Sequence, residues 1–269
     1  MTLNVRNVSK LGVVLTIVAM FASGCAMKSA TSPGDSADID TENSIVSGDM
    51  ILDINEMRPA GVQEGAKGFT AYSSVPWTGG VIPVLFDSTV SSTRRSKFFA
   101  QCAIWSTYAK VKCITRTTQA KYLLVTAKDT TNCYTHLGMG STTAIRVFNF
   151  GMNWCWDYDW AILHDIGHVM GLMHEHQRSD RDAYIQILPS NILPAFAFAF
   201  DILTTSQNVT PYDFRSIMQY PSYSYAISGK KSIVARPAYA SQQQYLDVQP
   251  TVLSKGDKIT IQKIYGSLL

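Results

Sequence analysis

Four of the five histidines in this 269-residue chain fall within "LHDIGHVMGLMHEH", residues 163–176. His164 and His168 stand at i and i+4, so on a helix both imidazoles leave one face about a turn apart and can take two corners of a tetrahedral zinc site. His174 cannot reach the metal from that helix face. Gly171 tolerates the left-handed turn that ends a helix, which lets the chain return His174 as a third neutral nitrogen ligand. Three protein ligands leave a fourth position for water, the arrangement of a reactive zinc site rather than a structural one. Asp165, directly after the first histidine, is a carboxylate placed where it could take a proton from that water.

Several elements must hold these groups. "GGVIPVLFD" reads as a strand, and "SSTRRSKFFAQCAIWSTYAK" as a helix with Ser91 or Ser92 as N-cap. Phe98, Cys102, Trp105 and Ala109 recur at helical spacing in that segment and are expected in the core. "KYLLVTA" and "TAIRVFNF" read as strands, and "YDWAILHDIGHVMG" as a second helix stopped at Gly171. From residue 194 the chain is less periodic until a short final helix. This order predicts an α+β domain: a twisted mixed sheet, two long helices above a cleft near the histidines, and an irregular C-terminal subdomain below.

Composition, 46% hydrophobic and 16% charged, is that of a globular protein able to bury a core. A formal net charge of +3 without a basic block gives no reason to expect a nucleic-acid partner. Arg6 and Lys10 precede the uncharged run 11–24, which ends in small residues and reads as a secretory signal peptide over 1–24. "ASGC" then resembles a bacterial lipoprotein processing site. It would acylate Cys25 and anchor the protein to a membrane in the cell envelope; without the lipid the protein would be secreted. Residues 25–70 read as a polar tether and propeptide, and 71–269 as the folded domain. Besides Cys25 there are Cys102, Cys113, Cys133 and Cys155, an even set that suits disulfides in an oxidising compartment, with three connectivities open.

The histidine pattern with its glycine matches the metzincin motif His-Glu-x-x-His-x-x-Gly-x-x-His at every position except the glutamate, here Asp165. "RSIMQY" supplies a Met-turn candidate, with Met218 beneath the metal and Tyr220 pointing at it. Together with "HEHQRSDRDAYIQI", "YDFRSIMQYPSYSYAISGKKSIV" and "LSKGDKITIQKIY", these residues resemble the astacin family of zinc metallopeptidases from about Trp77 to Tyr265. The resemblance implies one zinc ion on His164, His168 and His174. It implies that Tyr220 stabilises the oxyanion as a switchable further ligand, and that Glu175 receives the ammonium of the matured N-terminus. It pairs Cys133 with Cys155, flanking "STTAIRVFNF" as the substrate-side edge strand. It matches Cys113 to a family cysteine whose usual partner slot is here Ser267, which leaves Cys102 as the partner expected. "VSGDM" resembles the propeptide motif Phe-x-Gly-Asp, with Val46 for Phe, and implies that Asp49 takes the place of the zinc water until an activating protease acts, with Lys67 in an exposed-looking stretch.

The expectation is therefore an exported zinc metalloendopeptidase, made as a latent precursor, that hydrolyses peptide bonds with a zinc-activated water. Its protein or peptide substrate would lie extended along an edge strand. Aspartate and glutamate have similar basicity, but the shorter arm withdraws the Asp165 carboxylate by roughly an ångström, which can cost about a hundredfold in rate. The alternative is a catalytically inactive relative acting as a peptide- or protein-binding module. No Gly-x-Ser-x-Gly elbow supports a serine hydrolase.

Overall fold

The computed structural model describes residues 44–53, 76–140, 145–204 and 207–268. The signal-like segment, Cys25 and Lys67 lie outside the described residues. The strands of the main sheet are β1 (Ser44–Ser47), β2 (Met50–Asp53), β3 (Val81–Phe86), β4 (Lys112–Thr115), β5 (Tyr122–Thr126), β6 (Cys133–His136) and β7 (Ile145–Phe150). They form a seven-stranded sheet in the order β1-β2-β6-β7-β5-β3-β4. The strands β4, β3, β5 and β7 are mutually parallel, β6 is antiparallel to β7, and β2 lies parallel to β6.

One expectation changes here. "STTAIRVFNF" contributes β7, which is an inner strand: β6 covers it. The sequence hides β6 because "CYTH" is four residues long and buried throughout, so it shows no alternation. Residues 44–53, within the stretch read as tether and propeptide, form a hairpin built into the sheet, with Met50, Ile51 and Leu52 buried.

Helix α1 (Ser92–Ser106) starts where Ser91 Oγ accepts the Arg94 N–H, satisfying one of the donors a helix start leaves free. Its buried face, Phe98, Cys102 and Trp105, packs on helix α3 (Asp159–Val169), which follows the short α2 (Asn153–Asp157). α3 is buried at every residue from Ala161 to Val169, so its environment rather than an amphipathic pattern sets its place. Trp105 Nε1 donates to the Leu163 carbonyl (3.0 Å) and Trp77 Nε1 to the Val169 carbonyl (2.8 Å), which pins both ends of the histidine-bearing segment. Cys102 on α1 is bonded to Cys113 on β4, and Cys133 on β6 to Cys155 on α2.

Beyond α3 the chain forms a second layer of little regular structure. The two-stranded sheet β8 (Ile185–Ile187) with β9 (Ile233–Ala235) and the short α4 (Gln243–Leu246) surround an aromatic cluster that includes Phe200, Tyr212, Phe214, Tyr220 and Tyr225. Helix α5 (Lys255–Tyr265) closes the chain with a capping box between Ser254 and Asp257. Among the described residues no helix is long and apolar enough to cross a membrane.

The Cys102–Cys113 bridge closes a loop of sequence separation 11. A chain-entropy estimate gives such a loop about 3 kcal/mol. Replacing both cysteines by serine is expected to lower the unfolding free energy by that order in a urea titration. Unchanged stability would mean that the bridge adds nothing beyond the packing of α1.

Candidate metal centre

Three carbonyl oxygens fix the histidine rings. His164 Nδ1 lies 2.7 Å from the Ile217 carbonyl, His168 Nδ1 2.6 Å from the Leu172 carbonyl, and His174 Nδ1 2.8 Å from Gln177 Oε1. A carbonyl oxygen only accepts, so each Nδ1 carries the proton and each Nε2 presents a lone pair. Those Nε2 atoms lie 3.0, 3.2 and 3.3 Å apart. Three converging lone pairs repel unless a cation sits among them. The spacing matches the edge of a zinc tetrahedron, roughly 3.3 Å for bonds of about 2.0–2.1 Å. The donor set therefore fits zinc. Gly171, at φ +99°, makes the turn that delivers His174.

The fourth side of the cluster is taken by the hairpin. Asp49 places Oδ1 2.8 Å from His174 Nε2 and Oδ2 3.2 Å from His164 Nε2, and the four side chains form a buried group suited to a metal. Tyr220 donates its hydroxyl to Asp49 Oδ1 at 3.1 Å. Gly48 turns at φ +67°, and a Cβ there would collide with the Tyr220 hydroxyl, so this position is restricted to glycine twice over. Burial opposes charge on Asp49, but positive charge at His174 and His164, when those rings are protonated, outweighs it and holds the carboxyl well below the usual range. Asp165, also buried, is pushed the other way by burial and by the Asp49 carboxylate beside it, well above the usual range. Burial drives His168 down to about 3, whereas at His164 the Asp49 carboxylate outweighs burial.

The geometry beneath the histidines involves residues that the sequence did not single out. Gln177 is fully buried; its Oε1 holds His174, while its Nε2 donates to Ser47 Oγ (2.8 Å) and the Asp201 carbonyl (3.3 Å). Asp257 accepts from the Ile217 N–H (2.8 Å), so the N-terminus of α5 holds the residue whose carbonyl holds His164. His176 stacks on Tyr220 with ring centroids 4.2 Å apart. Adjacency to the third ligand was the one sequence signal for His176 and Gln177. Asp257 had none, being 40 residues from its partner.

Met218 lies under the cluster: a Cβ on Gly167, between the first two ligands, would come 2.7 Å from Met218 Sδ. The Glu175 N–H donates to the Met218 carbonyl at 3.0 Å. The Glu175 carboxylate accepts from Arg178 Nη1 (2.9 Å) and the Asp213 N–H (2.7 Å), and burial still pushes it up to about 8. Beside it lies a small cavity lined also by Asp213 and Asp257.

Residues 69–266 match the family profile described as Astacin, a peptidase family. Zinc metalloproteinase nas-12 of Caenorhabditis elegans is 30% identical over 151 residues, 55% of this chain and 38% of that protein. High choriolytic enzyme 1 of Oryzias latipes is 32% identical over 159 residues, 58% of this chain and 57% of that protein. The chain thus spans well under two thirds of the length of these relatives. The structure of that same medaka enzyme, described as a hatching enzyme zinc-protease, superposes with a TM-score of 0.61 at 24% identity, over 78% of this chain and 100% of that one. This likeness establishes the shared fold.

Two substitutions test the geometry. Gln177→Leu removes the acceptor that orients His174, and loss of such a partner weakens metal binding by about 10–100-fold; competition with a chelator measures it, and unchanged affinity would dismiss Gln177 as an orienting group. Gly48→Ala is expected to dislodge the hairpin turn, so the backbone amides of residues 47–51 should lose hydrogen-exchange protection while those of α1 keep theirs.

Proposed function

The chain belongs to the astacin family of peptidases, and from that premise we propose that it is an exported zinc-dependent metalloendopeptidase made as a latent precursor. The observation that carries this reading is the convergence of three Nε2 lone pairs on one point whose fourth side is filled by Asp49 of a separate hairpin. Zinc held by His164, His168 and His174 supplies Lewis acidity, polarising the scissile carbonyl and acidifying water.

The remaining work falls to side chains. Asp165 takes the water's proton as the water attacks and hands it to the leaving nitrogen. Tyr220, freed from Asp49, turns its hydroxyl to the developing oxyanion. In the precursor Tyr220 is engaged by its hydrogen bond to Asp49, and the Asp49 carboxylate together with burial disfavours the charged form of Asp165.

The hairpin also occupies the substrate's track. The Thr135 N–H donates to the Asp49 carbonyl (2.8 Å) and the Leu137 N–H to the Ile51 carbonyl (3.1 Å), main-chain bonds that an extended substrate would make once β1 and β2 leave. β6, not β7, is the edge strand that substrate would join. Activation needs a cut by another protease between the hairpin and Trp77, followed by withdrawal of the hairpin. The new N-terminus would then bring its ammonium to Glu175, beside which Asp213 and Asp257 also line a small cavity. The two disulfides suit an exported protein, in the cell envelope through a lipid on Cys25 or secreted.

One observation favours a second reading. The carboxylate at position 165 is short, and a protein that kept every ligand but lost its base would bind peptides without cutting them. Processed wild type, Asp165→Glu and Asp165→Ala, each checked for zinc content, should be compared on unfolded protein substrates. We expect wild type to cleave, Asp165→Glu to gain up to about a hundredfold, and Asp165→Ala to lose activity. Wild type no better than Asp165→Ala, with Asp165→Glu active, would make the natural protein the binding module.

A further inference from the structure

We propose that the aromatic cleft between the start of α3 and the segment after Met218 is a side-chain pocket that selects a bulky apolar residue next to the scissile bond and rejects an acidic one. This inference rests on the peptidase reading above and adds the chemistry of the substrate to it.

His164, Asp165 and Tyr220 belong to the lining of the cleft, so a side chain entering it belongs to a residue flanking the bond under attack. Asp49 of the hairpin lines the cleft as well, so withdrawal of the hairpin enlarges it. Phe150, Trp154, Trp160 and Tyr225 supply aromatic surface, and the Cys133–Cys155 bridge supplies sulfur. Such walls reward apolar area and aromatic stacking.

The charges point the same way. Among the described residues lining the cleft there is no lysine or arginine, so away from the metal a substrate carboxylate would find no cationic side chain to pair with. The amide groups are largely committed elsewhere. Gln219 accepts from the Tyr212 hydroxyl (2.6 Å) and donates to the Tyr220 carbonyl (2.7 Å). Gln249, half-buried, donates to the Pro250 carbonyl (3.1 Å), which leaves its Oε1 as the lining group best able to meet a polar tip.

The pocket is preformed. Tyr225 is the one non-glycine among the described residues with positive φ, at 49°, a conformation unfavourable for a bulky residue. Its ring is stacked on Phe196 with centroids 4.7 Å apart. The disulfide fixes the opposite side by joining β6 to α2, whose Trp154 also lines the cleft. Rigid walls make selection by shape possible without closure of a lid.

The test uses protein processed between the hairpin and Trp77, a peptide library varied at the two positions flanking the cleavage site, and two peptide hydroxamates bearing a benzyl or a carboxymethyl side chain. At one of the two positions, Phe, Tyr, Leu and Met should exceed Asp and Glu by at least about tenfold in kcat/KM. Gln249→Arg, a rim substitution that leaves the aromatic walls intact, should shift that ratio toward Asp and Glu by about tenfold. A flat profile at both positions, or an acidic preference in wild type, overturns the proposal. If no peptide is cleaved, the peptidase reading fails while the pocket is still judged: benzyl hydroxamate bound at least tenfold tighter than carboxymethyl upholds it, and equal or reversed affinity overturns it.

Discussion

The metal centre depends on three hydrogen bonds that never touch the metal. Each puts the proton of a histidine on Nδ1, and only with all three in place do the Nε2 lone pairs face one another. Each acceptor belongs to a different part of the chain. Leu172 is in the turn after α3, Gln177 lies three residues beyond the third ligand, and Ile217 comes from the segment next to Met218. The fold can be read as the means of bringing these acceptors to one place. α3 supplies two rings, the glycine turn returns the third, and the capping carboxylate of α5 holds the backbone of Ile217. Neutral rings spaced in this way are unfavourable to one another, so the polypeptide stores a preference for a cation that packing maintains.

The same reasoning underlies the proposed latency. Asp49 supplies a charge to the cluster and holds the hydroxyl of Tyr220 in a hydrogen bond. Met50 and Leu52 pack with Leu137, Met173 and Leu203, while Ile51 packs with Tyr134 and Val147. A carboxylate on a loose tether would exchange readily with water or substrate. One anchored by three buried apolar side chains and by main-chain bonds to β6 does not leave until the anchors do. Ser47 adds a link of another kind, because Gln177 joins it to the third ligand. Hairpin docking and metal orientation therefore share one amide.

The sequence revealed the parts of the site that are encoded locally. Ligand spacing on a helix and a glycine at the turn are short-range patterns whose geometry follows from helix and turn rules, whereas the disulfide pairings are implied by the family resemblance. Three other parts depend on contacts across the chain. β6 is too short and too buried to show a period, and so β7 took its place as the edge strand. "SIVSGDMILD" carries a strand-like pattern, but nothing local says that it pairs with residues more than 80 positions away. Gln177 and Asp257 have types that are common on surfaces; their buried roles exist only because distant carbonyls and amides face them.

The short carboxylate can be compensated in two ways, by moving the helix or by moving what the carboxylate acts on. The packing weighs against the first. α3 is buried over nine consecutive residues, its Leu163 and Val169 carbonyls are held by two tryptophan indoles, and Gly167 lies against Met218 with no space for a side chain. A shift of roughly an ångström would break those bonds, and it would move His164 and His168 away from His174, because the first two ligands ride with Asp165 on one rigid segment. A close-packed interior does not yield by that amount for one methylene. On the peptidase reading proposed above, the gap at Asp165 must therefore be closed by solvent or by a substrate held along β6 and in the aromatic cleft. Activity in this chain should depend more on how a peptide is held than in a relative whose glutamate reaches unaided, and the residues that hold the peptide become part of the catalytic geometry.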